Sequence, residues 1–289
     1  MATPKKNYTV ILFYKFAAIK NPKALLKTQK ALCGSLNLKG RVLIAKEGIN
    51  ATLEGLDGNI KKFKRAFRKL PLFKDVMFKE SKGTGKAFTK LQVKVRSEVV
   101  TLGKTYNVKK QTAKTLTASE LEKLYTKNED FVVLDLRNDF EINVGQFEKT
   151  VHPNLQNFRE LPQKLKSIGH LKNKKVVAVC TGGIRCEKAT CFLKEKGFQN
   201  LYQLKDGIHT YMQKYPGKHF KGSLFVFDNR MTTTVTKVKN REIIGKCLYC
   251  KTPCEEFYND DSTRPSTKVI CCNTCFLPRK NILRQAVTI

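Results

Sequence analysis

Three short apolar runs in the middle of the chain constrain its fold more than any other feature. They cover residues 131–136, 175–179 and 200–204. Each has the length of a buried strand and is too short for a buried helix. Segments with helical periodicity separate and follow them, at residues 158–168, 185–196 and 208–214, and a capping box of Thr117 and Glu120 opens a further helix. This alternation predicts a parallel sheet with helices on both faces.

The first hundred residues follow a different order of elements. Strands are predicted at residues 7–16, 41–45, 51–54, 76–78 and 91–95, and helices at 22–36 and 58–70. The order β-α-β-β-α-β is typical of a ferredoxin-like or acylphosphatase-like domain. The glycine-containing stretch 81–86 lacks the spacing of a nucleotide-binding P-loop, and we predict a flexible basic hairpin there.

The predicted fold class is therefore α/β, with three regions along the chain. We expect a ferredoxin-like or acylphosphatase-like α+β domain at residues 1–105, a parallel-sheet domain at 113–218 and a small cysteine-rich region at 219–289. A linker is predicted at residues 100–115.

Cys180 lies where the second apolar run ends, and a short loop follows it. The loop consists of Thr181, Gly182, Gly183 and Ile184, and leads to Arg185 and a helix. In open α/β sheets, chemistry takes place at the carboxyl ends of strands. Two glycines allow backbone N–H groups to turn inward, and such a nest beside a helix N-terminus stabilises a thiolate. Cys180 is therefore the predicted catalytic cysteine, and Arg185 is expected to add positive charge or to brace the loop.

Loop length and a neighbouring thiol refine this prediction. Four residues separate Cys180 from Arg185, whereas a tyrosine phosphatase needs a longer loop to wrap a phosphate. The shorter loop favours a smaller group, such as a persulfide sulfur. Cys186 is the less favoured nucleophile, but it is a candidate to resolve a persulfide or disulfide on Cys180. Cys191 lies inside the predicted helix and fits a structural role.

The charge distribution indicates a polyanionic partner. The chain carries a net charge of +32, and its first 112 residues hold 26 Lys and Arg against 6 Asp and Glu, a net +20. Basic surfaces of this density attract the phosphate backbones of nucleic acids. The candidate RNA contacts, on the polar face of the second predicted helix, are Lys61, Lys62, Lys64, Arg65, Arg68 and Lys69. The alternative is a solvated helix face without a partner.

The cysteine-rich tail has the spacing of a metal site. Cys247 and Cys250 form one pair, and Cys272 and Cys275 form a second. Four thiolates at this spacing predict a tetrahedral structural zinc, which would also keep so short a segment folded. The alternative is a set of reduced thiols without metal.

Several other protein classes are not indicated. The sequence has no apolar run of about 18 residues, so no membrane span is expected. Its N-terminus lacks the small-residue cleavage site of a signal peptide, which favours a cytoplasmic protein with reduced cysteines. No motif in the sequence indicates an iron facial triad, a flavin site or an NAD-type fingerprint, and its four histidines show no ligand spacing.

The motifs carry two levels of family resemblance. The Cys180 loop, coming after residues 133–138, resembles a rhodanese domain, in which the matching cysteine carries a persulfide. Asp135 and Arg137 match the Asp-x-Arg stretch of that family, which implies a supporting role. More specifically, the chain resembles the rhodanese-domain tRNA uridine hydroxylase family at residues 40–50, 94–103, 180–189, 225–230 and 245–250.

This second resemblance implies a concrete activity. Members hydroxylate carbon 5 of the wobble uridine, position 34 in the tRNA anticodon loop, using molecular oxygen and a reductant that this sequence does not identify. An acylphosphatase-like domain, a rhodanese-like domain and a cysteine-rich region are implied in that order. The chain departs from the family pattern at Gln146, where histidine is usual, and at residues 259–265, where a further cysteine pair is usual.

The nucleophilic loop suggests a mechanism in which a Cys180 thiolate adds to C6 of uracil and makes C5 electron-rich. Two alternatives stay open: a sulfurtransferase acting through a Cys180 persulfide, and a non-catalytic RNA-binding module. The intact Cys180 loop argues against the module. The basic N-terminal domain favours an RNA substrate.

Overall fold

The computed structural model describes residues 6–239 and 241–286. It contains two compact units, one ending at Lys110 and the other beginning at Gln111. Residues 1–5, on which part of the signal-peptide argument depends, lie outside the described residues. Among the helices of the described ranges, none is both long enough and apolar enough to cross a bilayer.

The N-terminal unit is a five-stranded sheet with two helices packed on one face. Its elements are β1 (Tyr8–Phe16), α1 (Pro22–Ser35), β2 (Lys39–Ala45), β3 (Gly48–Leu56), α2 (Asp57–Arg68), β4 (Lys79–Lys82) and β5 (Leu91–Val95), with a 3-10 helix at Pro71–Phe73. The strand order is β4-β1-β3-β2-β5. β2 and β5 run parallel, and the other neighbouring strands run antiparallel. This topology agrees with the predicted acylphosphatase-like domain.

Alternation along the strands explains why this sheet packs on its helices. Ile11 and Phe13 point to the same face of β1, as the two-residue period of a strand requires. There they pack against Phe63 and Phe67, which recur at helical spacing on α2. The ring centroids of Phe13 and Phe67 lie 5.0 Å apart in an edge-to-face arrangement. These aromatic contacts form the core of the unit.

The stretch predicted to be a flexible basic hairpin is held by a buried carboxylate. Glu54 of β3 is 2% exposed. It accepts hydrogen bonds of 2.8 Å from the backbone N–H groups of Thr84, Gly85 and Ala87. The inward-turned N–H groups therefore bind an internal anion, which leaves them no capacity to bind a phosphate in the manner of a P-loop.

The C-terminal unit contains a parallel five-stranded sheet and a smaller antiparallel region. After α3 (Val108–Gln111), its first elements are β6 (Lys114–Leu116), α4 (Ala118–Thr126), β7 (Val132–Asp135), α5 (Asp139–Ile142), β8 (Gly145–Phe147), β9 (Thr150–Val151), β10 (Val176–Val179), α6 (Ile184–Glu195), β11 (Leu201–Leu204) and α7 (Gly207–Lys214). There follow β12 (Phe220–Gly222), β13 (Leu224–Phe225), β14 (Thr232–Thr233), β15 (Phe257–Asp260), β16 (Thr267–Ile270), α8 (Asn273–Phe276) and β17 (Leu283–Gln285). Three 3-10 helices lie at Phe158–Glu160, Leu165–Leu171 and Leu277–Arg279.

The parallel sheet has the order β6-β11-β10-β7-β9, and all its neighbouring strands are parallel. α4 and α7 pack on one face, where Leu121 and Tyr211 join Val177 and Val179 of β10 in one apolar cluster. α6 packs against β10 and β11 and contributes nothing to that cluster. Helices therefore lie on both faces of the sheet, as the alternating pattern predicted.

The cysteine-rich tail shares a core with the parallel-sheet region. Val144, which directly precedes β8, packs with Phe225 and with Cys247 in one buried cluster. β8 also pairs with β12. Both regions consequently belong to one compact unit.

Two local predictions were wrong, each for a physical reason. Residues 76–78 were predicted to be a strand, but Val76 and Phe78 fill the core without pairing, and the strand is the charged segment that follows. Residues 158–168 form short 3-10 helices because Pro162 cannot continue an α-helix. The boundary between the two units, after Lys110, lies within the linker predicted at 100–115, which also contains α3 and the start of β6.

Candidate active site

The loop after β10 surrounds the sulfur of Cys180. Cys180 directly follows the last residue of β10 and is fully buried. Gly183 has a φ of +100°, a conformation that glycine adopts without strain. That conformation turns the Gly183 N–H inward, where it donates a 3.1 Å hydrogen bond to the Cys180 Sγ. α6 begins at the next residue, so its N-terminus lies at the loop.

This environment favours the thiolate of Cys180. Burial by itself raises the pKa of the thiol, but a hydrogen bond from the Cys186 thiol, the charge of Arg185 and backbone hydrogen bonds outweigh it. The net result lowers the pKa of Cys180 to about 6. The pKa of the Cys186 thiol moves in the opposite direction, because of burial and of its contact with Cys180. At neutral pH, Cys180 is therefore the ionised sulfur and Cys186 the neutral donor.

Arg185 is held beside the loop by a carboxylate that the sequence analysis did not identify. Glu141 of α5 is fully buried and accepts from Arg185 Nη1 at 2.5 Å and from Nη2 at 2.7 Å. Its two oxygens also accept from the Thr181 hydroxyl at 3.2 Å and from the Asn138 N–H at 2.8 Å. Every oxygen of this buried carboxylate thus has partners, as burial of a charge requires.

Asp135 and Arg137 form a second buried ion pair beneath the loop. Both side chains are fully buried, and Arg137 Nη2 lies 2.7 Å from the nearer Asp135 oxygen. The same guanidinium donates to the carbonyl oxygens of Glu141 and Gly145. These contacts join the end of β7 to α5 and β8, so the pair positions the helix that carries Glu141.

Gly207 is a further position that the sequence analysis missed. Its φ is +71°, and a Cβ built there would lie 2.6 Å from the carbonyl oxygen of Cys180 and 2.7 Å from Gly182. Only glycine therefore fits at the start of α7. The next two N–H groups, of Ile208 and His209, donate to the carbonyl oxygens of Cys180 and Thr181. α7 thus supports the loop through hydrogen bonds between backbone groups.

Sequence spacing hardly indicates that Glu141 and Gly207 belong to the site. Glu141 lies far along the chain from Arg185, and its one local signal is the capping-box spacing of three residues after Asn138. The Asp-Gly pair at residues 206–207 is typical of a turn, but no local pattern shows its contact with the Cys180 loop.

The four predicted metal ligands come together in the tail. The Sγ atoms of Cys247, Cys250, Cys272 and Cys275 all lie within 4.8 Å of one another. Sulfurs around a tetrahedral zinc are about 3.8 Å apart, since each zinc–sulfur bond is about 2.3 Å. The distance between the sulfurs of Cys250 and Cys272 is 3.5 Å. The geometry and the soft thiolate donors therefore fit zinc. Cys254 and Cys271 are not members of this group.

The candidate RNA contacts on α2 differ in their surroundings. Lys64 forms an ion pair with Glu80, and Arg68 donates to the carbonyl oxygen of Val76. Lys61 and Lys62 are exposed. Part of this basic face therefore stabilises the N-terminal unit itself.

Three family models match successive segments of the chain, in the domain order that the sequence motifs implied. Residues 8–99 match the UPF0176 acylphosphatase like domain, residues 117–214 the Rhodanese-like domain, and residues 221–282 the Rhodanase C-terminal model. These matches agree with the acylphosphatase-like topology and the parallel sheet described above.

Curated relatives match most of the chain. A protein of Onion yellows phytoplasma named tRNA uridine(34) hydroxylase is 38% identical over 93% of this chain and 88% of its own length. A protein of the same name from Enterococcus faecalis is 40% identical over 87% of this chain and 81% of its own. Among solved structures, a rhodanese-related protein from Thermoplasma volcanium aligns with 35% of this chain and 93% of its own at 25% identity, with a TM-score of 0.30.

Proposed function

Since this chain belongs to the family of proteins named tRNA uridine(34) hydroxylase, we propose that it hydroxylates carbon 5 of uridine 34, the wobble base of tRNA, with Cys180 as its reactive cysteine. Identity of 37–40% across at least 87% of the chain carries the activity. The Gly183 N–H bonded to the Cys180 sulfur supports the choice of cysteine.

Hydroxylation of uracil by oxygen first requires an electron-rich carbon 5, and the Cys180 thiolate can create it. Its sulfur forms a bond to C6, and the electron pair of the C5–C6 double bond moves toward C5 and the adjacent carbonyl. C5 then becomes the electron-rich atom that meets oxygen. One oxygen atom enters the product and the other leaves as water, which takes two electrons and two protons from a reductant. Release of the C5 hydrogen as a proton and of the sulfur restores the ring and the thiolate.

The charge distribution supports tRNA as the macromolecular substrate. The net +20 of the first 112 residues suits binding to the phosphate backbone around the anticodon loop. Lys61 and Lys62 on α2 are candidates for this contact. A tRNA substrate also favours the cytoplasm, where cysteines stay reduced.

We further propose that the four clustered cysteines of the tail bind a structural zinc. Their sulfurs would hold the ion as four thiolates, and the ion would stabilise the short antiparallel region around β15. With four protein ligands such a site has no open position, so its contribution is to folding.

Sulfur transfer is the second candidate, and the loop itself favours it. The short cradle between Cys180 and Arg185 suits a persulfide, whose terminal sulfur would accept from the same inward N–H groups. Trapping of a Cys180 persulfide, followed by transfer to an acceptor without any change in tRNA nucleosides, would support it over hydroxylation.

Nucleoside mass spectrometry tests the proposed activity. tRNA is compared from cells that lack this gene and from the same cells carrying wild type or Cys180→Ala. We expect 5-hydroxyuridine and its derivatives to disappear on deletion and to return only with wild type. Purified protein with undermodified tRNA, labelled oxygen gas and a chemical reductant should place the label in the product. Turnover by Cys180→Ser would contradict the role of the thiol.

A further inference from the structure

Phe227 presents an aromatic ring to solvent beside the Cys180 loop. It is 39% exposed, whereas Phe225, two residues earlier, is fully buried. The guanidinium of Arg185 lies over the Phe227 ring, 5.9 Å from its centroid. The same guanidinium donates to the hydroxyl of Thr181, the residue next to Cys180. A short series of contacts therefore links the exposed ring to the reactive sulfur.

The ring is held firmly although it is exposed. Its centroid lies 5.2 Å from that of Phe225 and 6.3 Å from that of Phe140, both in edge-to-face geometry. Phe140 belongs to α5, the helix that carries Glu141. Phe227 is thus fixed to the same framework that positions Arg185. A rigid aromatic side chain has little conformational entropy to lose when a ligand covers it.

The backbone that follows Phe227 is also fixed. Asp228 is buried and accepts hydrogen bonds from the N–H and the Nε of Arg230 and, through its other oxygen, from Nη2. The flanking Val226 N–H donates to the Met231 carbonyl oxygen. Because its neighbours Val226 and Asp228 are both anchored, this tight turn directs the side chain of Phe227 outward.

We propose that the uracil ring of the target uridine stacks on Phe227 and is thereby placed for attack by Cys180. This inference rests on the proposed function and adds the residue that receives the base. Enzymes that act on a base inside a nucleic acid turn it out of the stack and hold it on aromatic side chains. The Arg185 guanidinium contacts both the Phe227 ring and the Thr181 hydroxyl, so the stacking surface adjoins the loop whose Cys180 sulfur must reach C6.

Kinetics with purified tRNA test the stacking surface. We expect Phe227→Leu, which keeps the apolar side chain but loses the π face, to lower kcat/KM by about five- to a hundredfold, as loss of one base–aromatic stack does. Phe227→Tyr should retain activity within about twofold of wild type. Ile282→Ala removes another exposed apolar side chain, 41% exposed, and serves as the control that stays unchanged. Full activity of Phe227→Leu would overturn the proposal.

A second measurement locates the base without requiring turnover. An anticodon stem-loop with 5-iodouridine at position 34 is irradiated in complex with the full-length protein, and the crosslinked peptide is identified by mass spectrometry. We expect the crosslink at Phe227 in wild type and in Cys180→Ser, and its loss in Phe227→Leu. In Cys180→Ser, where no thiol lies next to C5 to compete, a crosslink at a residue other than Phe227 would refute the stacking surface.

The two measurements separate this inference from the function on which it rests. If wild type crosslinks through Phe227 but forms no 5-hydroxyuridine, the base platform stands and the proposed hydroxylation fails. If wild type hydroxylates tRNA while Phe227→Leu matches it and the crosslink lies elsewhere, the hydroxylation stands and the platform fails.

Discussion

Both oxygens of the Glu141 carboxylate bind the guanidinium of Arg185, and the pair is almost wholly removed from water. Breaking a buried pair on one side leaves an uncompensated charge, which costs about 3–5 kcal/mol. We therefore expect Glu141→Gln to lower the free energy of unfolding of the C-terminal unit by an amount in that range. Urea denaturation, followed by a signal from that unit, measures the change.

The neighbouring Asp139 provides the matched control. It lies in the same short helix and pairs with His152 at 3.3 Å, but its side chain is 41% exposed. An exposed pair contributes about 0–1 kcal/mol, so Asp139→Asn should change stability little. Equal losses in the two variants would show that burial of the Glu141–Arg185 pair is not what matters.

The ionisation of Cys180 gives a pH-dependent signal. Because its pKa is lowered to about 6, the thiolate forms as pH rises through 6 and is nearly complete at pH 7.5. Ultraviolet thiolate absorbance, taken as wild type minus Cys180→Ser, should show this midpoint. Cys186→Ala removes the thiol that donates to Cys180 and should move the midpoint to higher pH.

Cys191→Ala is the control for that titration. Cys191 lies on the same helix, and burial raises its pKa to about 11, so it does not titrate in this range. The midpoint of Cys180 should stay unchanged in this variant. A wild-type midpoint near the ordinary cysteine value of about 8.5 would contradict the activated-thiolate interpretation.

The clustered cysteines predict the metal content of the protein. We expect about one zinc per chain in freshly purified reduced protein, and loss of that zinc with lowered thermal stability in Cys250→Ser. Cys254→Ser, which changes a cysteine outside the group of four, should keep the zinc. Elemental analysis measures the zinc content, and thermal melts measure the stability. Zinc well below one per chain in wild type would rule the site out.

The local sequence pattern correctly predicted the elements that depend mainly on their own hydrophobicity. The apolar runs indicated the buried strands β7, β10 and β11, and the position of Cys180 at the end of one of them followed directly. Charged β4 was missed because its pairing depends on the register with β1, not on its own hydrophobicity. Edge strand β6 was missed because it is short and polar.

Contacts between distant parts of the chain account for what the sequence did not show at the site. Glu141 and Phe227 reach Arg185 from other elements, and no spacing rule connects them to it. Glu54 likewise satisfies N–H groups on a loop that composition alone made look flexible. Such partners become visible only when the fold brings the segments together.

The tight contact of Gly207 with the Cys180 loop leads to the last prediction. Alanine at this position would place its Cβ 2.6–2.7 Å from backbone atoms of Cys180, Gly182 and Gly183, so the loop must move. Movement would weaken the Gly183 hydrogen bond to the sulfur, and the thiolate midpoint of Gly207→Ala should therefore rise above about 6, with a loss of turnover of roughly tenfold or more.

Gly197→Ala is the matched control for this variant. Gly197 also has a positive φ, +89°, but no atom lies within 4 Å of the position that an added methyl group would take. Both variants bear the backbone strain of about 1 kcal/mol, and only Gly207→Ala adds the clash. If the two share one midpoint and one rate, α7 does not hold the loop in its reactive shape.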